Sequence, residues 1–143
     1  MRQINWKRVL LGGLLAGLVM NISEAALHGG MLGQDGVELF KSYGVAATPQ
    51  PWQLISLVSM TFMLGLASVW LYAAIRPRYG AGPKTAIKAG LAVWLLAHLW
   101  SGVYIGAGFT GLIPAKLAWL PVAWGIIEAP LSTFAGAALY KEN

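Results

Sequence analysis

Glu24, His98 and Glu128 each fall inside a long apolar run of this chain. An acidic side chain at the centre of a membrane helix costs about 2.5 to 3.5 kcal/mol on insertion scales, so the two glutamates together cost roughly 5 to 7 kcal/mol. A short chain offsets that cost when such groups share hydrogen bonds, water or a bound cation, with His98 as the natural partner of a carboxylate. Protons, cations and small polar solutes are the ligands this chemistry suits. Asn21 and Ser101 lie at comparable depth, which makes Asn21, Glu24, His98, Ser101 and Glu128 the candidate binding residues.

Helical spacing gives these residues common faces. Gly13, Gly17, Asn21, Glu24 and His28 recur at intervals of four, four, three and four, along one side of a helix. Gly13 and Gly17 form a small-xxx-small pair that lets two backbones approach. Pro121, Gly125, Glu128, Ser132 and Gly136 repeat the arrangement, and Gly90, Trp94, His98 and Ser101 or Gly102 offer a third such face. Ser56, Met60, Met63 and Ala67 supply a fourth, bearing thioethers. Counted from the basic boundary at 1.5 Å per residue, Asn21 and His98 lie roughly 19 Å deep and Glu24 and Ser101 roughly 24 Å, while Glu128 is near the midplane. Pro130 lacks an N–H and releases the Ile126 carbonyl one turn before it, so a kink is expected beside Glu128.

The elements that carry these faces follow from composition. Of the 143 residues 57% are hydrophobic and only 10% charged, with a mean hydropathy of +0.63, too few charges for an ordinary soluble surface. Four stretches reach the roughly 20 residues that a hydrocarbon core demands, at about 9–28, 53–75, 85–105 and 118–140. Their continuous apolarity fits helices and not barrel strands. The fold expected is an all-α four-helix transmembrane bundle forming a single domain. A shift of 77 residues sets Lys7 on Lys84, Gly13 on Gly90, Leu14 on Leu91 and Asn21 on His98, so two duplicated helical hairpins are one reading of the pattern.

Charge orients the spans. Arg2, Lys7, Arg8, Arg76, Arg78, Lys84, Lys88 and Lys141 fall on one side, against Lys41 and Lys116 on the other, which places both termini in the cytoplasm. Trp6, Trp52, Trp70, Tyr72, Tyr104, Trp119 and Tyr140 lie near span ends, where rings favour the headgroup layer. The cations flank apolar spans, so anionic lipid headgroups at Arg76, Arg78, Lys84 and Lys88 are the expected partners and nucleic acid is not. The first span is long for a secretion signal, and Ser23-Glu24-Ala25 makes a poor cleavage site, so it is read as a true span. Between the first two spans, Asp35 can cap a short interfacial helix over about 35–43, with Val37, Phe40 and Tyr43 on one face before Gly44 ends it.

Several signatures are missing or misleading. The chain has no cysteine, which removes disulfides, thiolate metal sites and cysteine nucleophiles. There is no P-loop, no paired histidine motif for zinc and no Ser-His-Asp set, so no cofactor or metal is assigned. Gly106-Ala107-Gly108-Phe109-Thr110-Gly111 matches GxGxxG but follows a membrane helix, so it is read as a helix end and a turn. His28 and His98 differ in depth by about 9 Å, which argues against a shared haem. The run Trp70-Leu71-Tyr72-Ala73-Ala74-Ile75-Arg76-Pro77-Arg78-Tyr79-Gly80, with Gly82-Pro83-Lys84-Thr85-Ala86 behind it, resembles small bacterial inner-membrane proteins with four spans. That resemblance implies a location and carries no activity, cofactor or catalytic residue.

Three functions fit this reading. One is a protein that binds or passes a proton, cation or small polar solute, as a homo-oligomer because four helices enclose little volume. Another is an accessory or scaffold subunit of a membrane complex. The third is a lipid-processing enzyme using the carboxylates and histidine as acid and base, which lacks a recognisable nucleophile; a non-enzyme is the favoured expectation.

Overall fold

The computed structural model describes residues 4–142, so Arg2 of the basic cluster lies outside the described residues. Five helices follow one another: α1 (Trp6–Met31), α2 (Gly33–Ser42), α3 (Pro51–Tyr79), α4 (Pro83–Gly108) and α5 (Ala115–Ala137). All but α2 are long and apolar enough to cross a membrane. The Asn5 side chain accepts from the Arg8 amide at the start of α1, and Gln50 and Gln53 form a reciprocal capping box at the start of α3. Pro51 and Pro83 occupy first-turn positions, where a missing N–H costs nothing.

The first and third spans extend two or three residues beyond the expected bounds at each end, and three other boundaries differ in ways that bear on packing. Arg76-Pro77-Arg78 belongs to α3 and not to a loop: Pro77 sits in the last turn, where one lost hydrogen bond is cheap and two arginines favour the negative end of the helix dipole. Gly80, at φ +83°, then ends the helix. The fourth span runs from Ala115 to Ala137, three residues earlier than expected, because Pro114 can precede a helix and leaves Tyr140 beyond its end. In α2 the helix already starts at Gly33, so Asp35 does not cap it. Asp35 instead pairs with Lys116 at 2.7 Å, and Tyr43 donates to the Leu112 carbonyl at 2.7 Å, tying α2 to the α4–α5 connection. That connection ends α4 at Gly108 and turns at Gly111, φ +84°.

The bundle places α1 against α3 and α5, and α4 against α5 and α3, leaving α1 and α4 across from each other. Gly13 and Gly17 meet α3 as their spacing implies: a Cβ on Gly13 would lie 2.6 Å from Leu66 Cα, and one on Gly65 would collide with the Gly17 amide nitrogen. Gly90 presses in the same way on the backbone of α5 at Pro130. Each contact joins the two helices of one hairpin, α1 with α3 and α4 with α5.

At the basic end the termini converge. Tyr72 and Tyr140 meet edge to face at 5.9 Å, the Asn5 amide donates to the Tyr140 hydroxyl at 3.3 Å, and the Arg76 guanidinium lies 5.4 Å from the Tyr140 ring centroid. These two tyrosines are therefore core residues and not part of an interfacial belt. Trp6, Trp52, Trp70, Tyr104 and Trp119 are exposed.

The other half of α3 behaves differently. Its buried residues are Gly65, Ser68, Val69, Tyr72 and Ala73, whereas every residue from Pro51 to Met60 is exposed. The face expected to use Ser56, Met60, Met63 and Ala67 points outward, because the glycine contact with α1 is made at Gly65 and fixes the rotation of α3. Gly13 meets Leu66 and Gly17 meets Phe62; carried on in register, Glu24 comes level with Ile55, which is 67% exposed. At that level α1, α4 and α5 stand without cover from α3.

Candidate functional site

Glu24 lies near the end of the regular part of α1, just before a π-helical turn at Ala26–Met31. His98 lies in a second π-helical turn at Trp94–Leu99, and Glu128 on the buried face of α5. Both histidines of the chain thus occupy π turns, which insert a residue into the helix and re-aim the side chains around it. In the first turn the Leu32 amide reaches back five residues to the Leu27 carbonyl at 2.9 Å.

The three side chains converge. One ligand atom from each of Glu24, His98 and Glu128 lies within 4.8 Å of the other two. His98 Nε2 is 3.6 Å from Glu128 Oε1 and 3.9 Å from Glu24 Oε1, both longer than a hydrogen bond. The Glu128 side chain is 2% exposed, and its Oε2 has no partner among the described residues. His98 Nδ1 is likewise buried and unpartnered. An ionisable oxygen left unpaired in a low-dielectric interior is expensive, so the site is electrostatically incomplete as the protein alone builds it.

The surroundings hold the group in place. The His98 ring lies on the α5 backbone at Gly125, where an added Cβ would come within 2.5 Å of Cδ2. Trp94 donates from Nε1 to the Val122 carbonyl at 2.8 Å, which pins α4 to α5 four residues before His98. Trp124 donates from Nε1 to Ser23 Oγ at 2.8 Å, pinning α5 to α1 beside Glu24. Sequence reasoning did not single out Trp124, Ser23 or this role of Gly125. Their signal was position alone, Trp124 lying one turn before Glu128.

His28, one turn after Glu24 on the same face, also reaches the group: its Nδ1 is 2.8 Å from Glu24 Oε2, so the two histidines flank one carboxylate. Asn21 and Ser101 are not brought to the group: Asn21 Nδ2 donates to the Gly17 carbonyl at 2.8 Å, and Ser101 Oγ donates to the Ala97 carbonyl at 2.6 Å. Gly102 is the buried residue at that level of α4, and Ser101 is exposed. Pro130 stands against Gly90, and α5 continues through it without interruption.

A groove of about 520 Å³ lies at the far end of the molecule, between α2 and the α4–α5 connection, lined by residues such as Leu39, Tyr43 and Leu112. It is away from the carboxylates and holds no charged side chain.

Fold and site together define a multi-pass helical membrane protein with a carboxylate–imidazole cluster inside its bundle. No family model matches the chain, and no curated protein or solved structure matches it.

Proposed function

We propose that this protein binds a proton, a cation or a small polar solute at Glu24, His98 and Glu128. The observation that supports this reading is the convergence of the three groups from three helices to within 4.8 Å of one another, with a buried carboxylate oxygen that no group among the described residues satisfies. Partners that merely fix helix register satisfy one another, as Trp94 and Val122 do. In this reading the basic end, with both termini, faces the cytoplasm of an inner membrane. Arg78 and Lys84 are exposed there to meet anionic headgroups, whereas Arg76 is drawn to Tyr140 and Glu142, and Lys88 lies 4.2 Å from the Tyr79 ring centroid.

The test is linkage. Anything that binds the folded state raises its stability with ligand concentration, so the thermal unfolding temperature of the full chain in lipid nanodiscs is expected to depend on pH or on added cation. The titratable groups facing the centre are Glu24 and His28 from α1, His98 from α4 and Glu128 from α5. In Glu128→Gln, which keeps shape but not charge, that dependence should be largely lost while helicity is retained. An unchanged dependence in this variant removes the site.

A further inference from the structure

We infer that the ligand of this site is a divalent first-row transition-metal ion, an inference that rests on the proposed cation-binding reading and narrows it. The first argument is distance. A metal bound at about 2.0 to 2.2 Å by each ligand sets those ligands roughly 3 to 4.3 Å apart. The His98 contacts of 3.6 Å and 3.9 Å fall inside that range and outside the range of a shared proton. The limit of 4.8 Å for the whole group closes onto one ion with a shift of roughly half an ångström.

The second argument is charge. Two carboxylates in a low-dielectric interior are neutralised by one divalent cation with His98 neutral, and the unpartnered Glu128 Oε2, on a side chain 2% exposed, supplies a further oxygen for the same ion. The third is ligand type. Imidazole nitrogen beside carboxylate oxygen suits manganese, iron, cobalt or zinc, whereas an all-oxygen set would suit magnesium or calcium, and no thiolate is present to select a softer ion.

Access has its own geometry. Glu24 and His28 are the exposed members, at 29% and 57% of their side-chain surface, on the level that α3 leaves uncovered. His28 holds Glu24 Oε2 while Oε1 faces His98, so it acts as an outer positioning residue for a metal-binding carboxylate.

The experiment uses the full chain in lipid nanodiscs with cobalt(II) as the probe, read by calorimetry and by its visible d–d absorption. One cobalt per chain is expected, displaced by zinc and not by excess magnesium. Glu128→Gln should weaken binding by at least ~100-fold, since even changes outside the ligand set cost about 10–100-fold. Glu24→Gln is the second variant, because Glu24 is partly exposed and its loss leaves the packing of α5 intact; it should lower affinity and alter the absorption. Wild-type protein that binds no cobalt, or binding in both variants as tight as in the wild type, or equal displacement by magnesium, overturns the assignment. If cobalt fails while pH-linked stability is still lost in Glu128→Gln, the metal falls and the proton reading stands; if both responses are absent, the site itself falls.

Discussion

The imidazole of His98 owes its position to an absent side chain. Gly125 lets the ring lie against the α5 backbone, and a methyl there would come within 2.5 Å of ring carbon, far inside van der Waals contact. Gly125→Ala should therefore push the ring away from Glu128 by about an ångström and lower cobalt affinity by about 10–100-fold, the range seen when a ligand loses its support. Circular dichroism should show helicity unchanged, and equal affinity in the variant would show that the ring is not held there. His28→Ala belongs to the same scale: it releases Glu24 Oε2, and about a tenfold loss of cobalt affinity is expected, with the one-to-one stoichiometry preserved.

At the scale of the element, rotation of each helix decides what meets what. The glycine contact between α1 and α3 sets one rotation, and Gly65→Val would force the two backbones apart. Overpacking of this kind costs about 1–3 kcal/mol, measurable as a lower midpoint of unfolding in mixed micelles. Met63→Val, on a side chain that is 62% exposed, should leave the midpoint within error. The two π turns set the remaining rotations, and each lies where a histidine must be aimed at a carboxylate. Helical periodicity placed Gly125, Glu128, Ser132 and Gly136 correctly on the buried face of α5. It misplaced the inner face of α3, because an apolar helix in lipid has no polar side to mark which way it turns.

At the scale of the molecule, the termini and the α3–α4 connection share one end, bound together by Tyr72, Tyr140, Arg76 and Glu142. Because the chain lacks cysteine, single introduced cysteines report sidedness without background. Val45→Cys should react with an impermeant maleimide on intact cells, and Lys84→Cys only after lysis. The reverse pattern would invert the orientation drawn from charge. The two ends also differ in packing: the basic end is closed by aromatic contacts, while toward the other end α3 stands off and the carboxylate cluster sits behind three helices.

Hydropathy and charge are sums over neighbouring residues, so the amino-acid sequence by itself determined the four spans, the shared end of the basic residues and the presence of ionisable groups too costly to leave in lipid alone. Only the tertiary structure decided that Glu24, His98 and Glu128 meet while Asn21 and Ser101 turn to their own helices. The reason is geometric: convergence depends on how each helix is rotated about its axis. That rotation is fixed by glycine contacts, tryptophan hydrogen bonds between helices and an extra residue in a helical turn; the glycine spacing does not name its partner face, and neither the hydrogen bonds nor the extra residue leaves a periodic mark along the chain.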